Sequence, residues 1–279
     1  MSTRTARQGL RPPQDLYLDW ERAHWAAQDV DLTRDVGDWA ALGGRERDLL
    51  YWVLSSLMVA EERISTQFCG LILAQDDEEE GSYLATQLVD EVRHMQFYAR
   101  FQNEVIADPA AIGAHVGRAR EVLGAPFGKI FDEALVSAHE RLRQAPRDRE
   151  AKVDFVTIYH MVIEGTLGLT ASHFLLDFLS DRDLLPGFVD GYSRIAADEQ
   201  RHIAWGTHFL QQAVRADPEM EGVIRRRILD LLPAVAESVS PPSDGAWDVL
   251  GVEDTELGQF GLNALTRRLK IVGVELAPS

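Results

Sequence analysis

The 279-residue chain holds a single cysteine, Cys69. That excludes an intramolecular disulfide and suits a reducing compartment. Positive charge is also scarce: 28 Lys and Arg stand against 45 Asp and Glu, a formal net charge of −17. A surface of that sign repels phosphate backbones and anionic bilayers, so neither nucleic acid nor a membrane is expected as a partner. Long hydrophobic runs are missing too. The most apolar stretch, LLYWVLSSLMVA at 49–60, contains two serines and ends against Glu61-Glu62-Arg63. A bilayer span needs about 20 apolar residues. The start, MSTRTARQGLRPPQDL, has no continuous apolar core of the signal-peptide kind. A soluble, cytoplasmic protein is expected.

β-Alternation is absent, and helix signals take its place. Leu50, Val53, Leu54, Leu57, Ile64, Phe68 and Leu71 form a 3.6-residue stripe over 45–75. Further helices are predicted from Ser82 to about Ile106, where Asp108-Pro109 is a stop, and over 128–144. Others are predicted from 148 to Phe178, from Pro186 to Asp217-Pro218, over 219–238 and, past the SPPSDG loop, over 254–271. The acidic run DDEEE at 76–80 reads as a solvated loop. No linker divides two cores. The expected architecture is one all-α domain over 1–279. It comprises a Trp-containing N-terminal arm (1–43), a helical core (44–238) and a C-terminal loop with a short helix (239–279).

Two of these helices carry one phrase twice: Asp90-Glu91-x-Arg93-His94 and Asp198-Glu199-x-Arg201-His202. Positions three apart share a helix face, so each Glu-x-x-His presents a carboxylate and an imidazole together. Both faces point inward, among Leu84, Leu88 and Phe101 in one case and Ile195, Trp205 and Phe209 in the other. Two more helices offer a carboxylate in an apolar setting, Glu164 in YHMVIEG and Glu61 or Glu62 in EERIS. Glu61 continues the stripe and Glu62 lies about 100° off it, so Glu61 is preferred. Four unpaired buried carboxylates would each cost several kcal/mol. Two divalent cations would balance them. One Glu from each of two helices plus Glu-x-x-His from two others is the ligand set of ferritin-like dimetal carboxylate bundles. The predicted ligands are Glu61, Glu91, His94, Glu164, Glu199 and His202, in a four-helix bundle core with extra helices.

Asp90 and Asp198 are candidates to accept a hydrogen bond from the far nitrogen of a ligand histidine. His24, His115, His139, His160, His173 and His208 stand outside the doubled phrase and outside the predicted site. Gly165 and Gly168 sit where large side chains would fill the space beside Glu164. Two readings stand for them: close helix approach, or a cavity next to the metals lined by Phe68, Leu71, Leu167 and Phe174.

In the order Glu61, Glu91-x-x-His94, Glu164, Glu199-x-x-His202, the chain resembles the ribonucleotide reductase small-subunit superfamily. EERIS (61–65) and YHMVIEG (159–165) are similar to segments of one branch, the R2-like ligand-binding oxidases, over roughly residues 15–271. The resemblance implies a mixed Mn/Fe centre, with Fe/Fe as the alternative, that activates O2. It also implies a long-chain fatty acid at the metals, a homodimer served by an external electron donor, and an ether cross-link between Tyr159 and Ile64. The family's usual residue at the latter position is valine. A local π-type widening of the helix would be needed to bring Tyr159 toward Glu164. The rival reading is a reductase small subunit: Tyr98, four residues after His94, resembles its radical tyrosine. Against it, the C-terminus lacks the tyrosine-bearing tail such subunits carry. Iron storage and another diiron oxygenase are further alternatives, and the chain is longer than a ferritin subunit.

Overall fold

The computed structural model describes residues 10–240, 247–253 and 255–276, and within them it leaves out the side chain of Glu62 among a few others. Every regular element in that set is helical. The Glu61 stripe becomes α3, Gly44–Leu73, and the first repeated phrase lies on α4, Glu78–Phe101. The second lies on α9, Pro186–Ala216. The fourth core helix, Arg149–Asp181, is continuous but not uniform. It starts as α7, Arg149–Val156, widens into a π segment, Thr157–Gly168, and finishes as α8, Leu169–Asp181. In the core α4 packs between α3 and α9, and α9 packs against the π segment and α8.

The remaining helices brace this core. α1, Pro13–Arg22, lies on α4 and α9, while α2, Thr33–Ala41, lies on α9. α5 is Pro109–Phe127, α6 is Val136–Gln144 and α10 is Glu219–Ser238. α11, Glu256–Val272, packs on the π segment, α8 and α9. Parts of the predicted arm and of the SPPSDG loop lie outside the described residues.

The structure differs from the sequence expectation at two helix boundaries. Asp108-Pro109 ends one helix but also begins another, α5. The Asp108 side chain accepts from Ala111 N at 3.0 Å, and proline is tolerated in a first turn that needs no N–H. The DDEEE run is no solvated loop. Asp77 accepts from Glu79 N at 2.7 Å as the cap of α4, so Glu78, Glu79 and Glu80 form its first turn, where acids oppose the helix dipole.

Among the described residues one stretch, Arg149–Asp181, is long and apolar enough to cross a membrane. Its most apolar window is 61% buried inside the protein.

Candidate metal centre

The two repeated phrases meet. Glu91, Glu164, Glu199 and His202 bring one ligand atom each within 4.8 Å of one another, and so do Glu61, Glu91 and His94. Glu91 belongs to both groups, so two cation positions would share it. His94 Nδ1 lies 3.5 Å from Glu91 Oε2 and 3.4 Å from Glu199 Oε1. His202 Nδ1 lies 3.2 Å from Glu164 Oε1. Each histidine therefore turns Nδ1 toward the carboxylates.

The other ring nitrogens reveal a crossover. His94 Nε2 meets Asp198 Oδ2 at 3.2 Å, and His202 Nε2 meets Asp90 Oδ2 at 3.2 Å. The aspartate of each phrase thus orients the histidine of the other phrase, which ties α4 to α9. Such a contact fixes the tautomer, leaving Nδ1 as the free lone pair. Arg93 bonds Asp90 at 2.6 Å, and Arg201 bonds Asp198. Two indoles complete the outer layer: Trp20 Nε1 donates to Asp90 Oδ1 at 2.8 Å, and Trp25 Nε1 to Asp198 Oδ2 at 2.9 Å. The role of the arm's tryptophans was not legible in the sequence, because their partners lie 70 and 173 residues away.

The donor set fits a pair of cations. Among the described residues, Glu61 Oε2, Glu91 Oε2, His94 Nδ1 and Glu164 Oε2 are buried with no hydrogen-bond partner. Buried polar atoms in such number are otherwise paired. Taken among protein groups alone, burial and the Glu91 charge push the Glu61 carboxyl well above the usual range. Burial and Glu199 do the same to Glu164. Burial works against ionising Glu91 too, but His94, His202 and the Tyr159 hydroxyl hold it down to about 2. Burial opposes charging the two histidines, yet Asp198 and Glu91 raise His94, and Glu164 and Asp90 raise His202. Cations would take over from these shared protons.

The predicted second-layer residues divide. Tyr159 Oη donates to Glu91 Oε1 at 2.8 Å, so the π segment brings it to Glu91 rather than to Glu164. Tyr98 is buried on the other side, its ring centroid 6.3 Å from that of Tyr192. A cavity of about 180 Å³ touches Glu61, Glu164 and Glu199, and Ile64, Leu167, Gly168 and Phe174 line it. Phe68, Leu71 and Gly165 do not. Phe68 packs on the Tyr159 ring at 5.0 Å, and Leu71 is buried in the same core. A Cβ on Gly165 would collide with the His160 carbonyl, and the Gly165 carbonyl accepts from Arg268 of α11. The crowding at Gly165 is within the π turn itself, while Gly168 borders the cavity. Two residues left out of the predicted site are wired to it. Gln87 Nε2 donates to Glu164 Oε1 at 2.9 Å, and His160 Nε2 meets Gln87 Oε1 at 3.2 Å.

The ligand geometry on an all-α bundle defines a dimetal carboxylate class. A family model for the ribonucleotide reductase small chain matches residues 13–239, and the chain belongs to that family. Solved structures of R2-like ligand-binding oxidase are similar over 96% of this chain and 94% of theirs. One is a tyrosine-to-phenylalanine mutant with an aerobically reconstituted Mn/Fe cofactor, at TM-score 0.81 and 24% identity. Another is a valine-to-isoleucine mutant with an anaerobically reconstituted Mn/Fe cofactor, at TM-score 0.81 and 25% identity. A third is a glycine-to-leucine mutant with a non-activated Mn/Mn cofactor, at TM-score 0.80 and 24% identity.

Proposed function

We propose that the protein is a homodimeric, O2-dependent dimetal oxidase that holds Mn and Fe and accommodates a long-chain, fatty-acid-like ligand. The observation that carries this reading is the pair of ligand groups sharing Glu91, with their orphaned carboxylate oxygens beside an apolar cavity. Glu61, Glu91 and His94 would hold one cation, and Glu91, Glu164, Glu199 and His202 the other. When bound and reduced by an external electron donor, such a pair supplies electrons to O2 and oxidising power to a nearby bond.

The chain's own residues supply the rest. Asp198 and Asp90 keep the histidine Nδ1 atoms aimed inward. Glu199, whose side chain is 15% exposed against 0% for Glu91, sits where the centre faces the cavity. Ile64, Leu167 and Phe174 exclude water there and suit an acyl chain, whose carboxylate end would sit at the cations. Tyr159, held by Glu91 and buried in one cluster with Ile64, is the residue placed for oxidation. The ether would form at the expense of the Tyr159 O–H and the Ile64 Cβ–H, with two electrons and two protons passing to O2.

Anaerobic reconstitution with Mn(II) and Fe(II) followed by air should give about two metals per chain and O2 uptake without any second type of subunit. Peptides containing Ile64 and Tyr159 should then be joined, about 2 Da lighter than their sum, the arithmetic of losing two hydrogens as in a disulfide. Less than about one metal per chain would sink the proposal. One observation favours a second reading. Tyr98 is buried near Glu61 and Glu199, with burial and Tyr192 raising its hydroxyl well above the ordinary range. A tyrosyl radical lost in Tyr98→Phe but retained in Tyr159→Phe would move the assignment to a reductase small subunit.

A further inference from the structure

We infer that His160 and Gln87 form a positioning relay that fixes the carboxylate of Glu164, and with it the cation on the His202 side. The relay rests on the reading of Glu164 as a metal ligand. His160 is completely buried and belongs to neither repeated phrase. Its ring occupies a slot made for it. A Cβ on Gly206, four residues after His202, would collide with His160 Cβ and Cγ, and the Trp205 ring closes the slot at 5.0 Å. An imidazole is a costly group to bury for packing alone. Its Nε2 meets Gln87 Oε1, and the Val156 backbone carbonyl lies beside the ring.

Gln87 is completely buried as well. An ionised carboxylate only accepts, so the amide must turn Nε2 toward Glu164. Gln87 Oε1 then faces His160, whose Nε2 must carry the ring proton. The reversed amide would press its carbonyl oxygen against the carboxylate and its N–H2 against the imidazole N–H. With its proton on Nε2, His160 therefore holds Gln87 in the orientation that Glu164 demands. Gln87 in turn sets which oxygen of Glu164 is engaged: Oε1 accepts from it and lies 3.2 Å from His202 Nδ1, and Oε2 has no partner among the described residues. Among the described residues nothing equivalent serves the His94 side, where Ile195 occupies the place in α9 that Gln87 holds in α4.

The experiment is an anaerobic titration of the metal-free full chain with Mn(II), the free ion read by electron paramagnetic resonance and folding by circular dichroism. In Gln87→Leu one of the two ions should bind about 10–100-fold more weakly, the range for outer-layer partners of metal ligands. The other ion should bind within about threefold of wild type by the same reasoning. His160→Phe should weaken the same ion about tenfold, and His160→Gln, which can still donate to Gln87, should recover most of the loss. In the Gln87→Leu background His160→Phe should add less than about twofold, because the two act as one unit. Wild-type binding in His160→Phe, or full additivity, would overturn the relay. Should His160→Phe fail to fold, Gln87→Glu decides. It keeps the volume and the acceptor for His160 but sets a carboxylate against Glu164, so it must lose that same ion. Retention of both ions by Gln87→Leu and Gln87→Glu also overturns the relay. A wild-type chain that binds no Mn(II) at all would instead remove the metal-centre reading beneath it.

Discussion

Aligning Asp90 with Asp198 sets α4 on α9, and the two halves of the site can be compared residue by residue. Within the phrase they match: each aspartate holds the opposite histidine, an arginine and an arm tryptophan. Outside it they part. Phe97 stands against Trp205, Tyr98 against Gly206, Tyr83 against Gly191 and Gln87 against Ile195. The exchanges are complementary in volume. Gly191 leaves room for the Phe97 ring on one side, and Gly206 leaves room for His160 on the other. The repeated phrase brings together two like ligand groups, and the unmatched residues around it make them unlike. The proposed Mn/Fe centre would need both properties, since affinity order alone does not choose Mn and Fe.

The strongest test of the shared part is Glu91→Ala. Glu91 stands in both ligand groups, so metal content should fall to less than about half an ion per chain, whereas Glu61→Ala should lose only the ion on the His94 side. Equal loss in the two variants would mean that Glu91 is not shared. The crossover comes next. Asp198→Asn should weaken the ion held by His94 and Asp90→Asn the ion held by His202, each about 10–100-fold. Assignment is by adding His94→Ala or His202→Ala and asking which background masks the effect. If each aspartate variant instead weakens its own phrase's histidine, the wiring described above is wrong.

Much of this was legible in the sequence because helical spacing is local: Glu-x-x-His fixes a face, and the Glu61 stripe fixes another. The crossover was not, since two like helices can orient their histidines within one phrase or across two, and only packing chooses. Phe68 and Leu71 were expected at the cavity from the α-helical stripe. They face Tyr159 and the core instead. His160 was passed over because it lacks the phrase. Its signal was Gly206, a glycine on the ligand face of α9, which reads as an empty place until the neighbour that fills it is known. Asp108-Pro109 misled in the other direction, since the same pair suits a stop and a start.

A smaller effect sharpens the Phe97–Trp205 difference. An indole needs an acceptor, and Trp205 Nε1 donates to Glu80. Burial, with Asp77 and Glu79 nearby, raises the Glu80 carboxyl from 4.5 to about 7, against the pull of the indole. The raised value means that the folded state holds the proton more tightly than the unfolded one. Glu80 therefore costs nothing below about pH 4.5, and its penalty grows as pH rises to 7 and stays above it. Glu80→Gln keeps an acceptor for Trp205 and cannot ionise. Discounted for partial exposure, it should stabilise by about 1–2 kcal/mol at pH 8, or roughly 3–6 °C, and by nothing at pH 4. A gain that is the same at both pH values would show that the carboxyl is not raised.

The finest distinction concerns Trp20 and Trp25, the arm residues that look most alike. Trp25 is 6% exposed and donates to Asp198 Oδ2, the same oxygen that meets His94, while Trp20 is only part-buried and donates to Asp90 Oδ1, leaving Oδ2 to His202. Removing the buried donor leaves a carboxylate oxygen short of a partner that water cannot replace. Removing the part-buried one leaves Asp90 Oδ1 still paired with Arg93 at 2.6 Å. Phenylalanine keeps a ring beside the Arg93 guanidinium, which lies over both indoles, at 5.4 Å from Trp25 and 6.0 Å from Trp20. Trp25→Phe should therefore cost about 1 kcal/mol of stability and Trp20→Phe a few tenths, measured by urea unfolding of the metal-free chain. In the metal-loaded protein Trp25→Phe should shift Mn(II) affinity a few-fold, and Trp20→Phe less, because only Trp25 shares its oxygen with a ligand histidine. If Trp20→Phe proves the more damaging of the two, the outer layer is not graded by burial, and the asymmetry between the two halves lies wholly in the residues that face the cations.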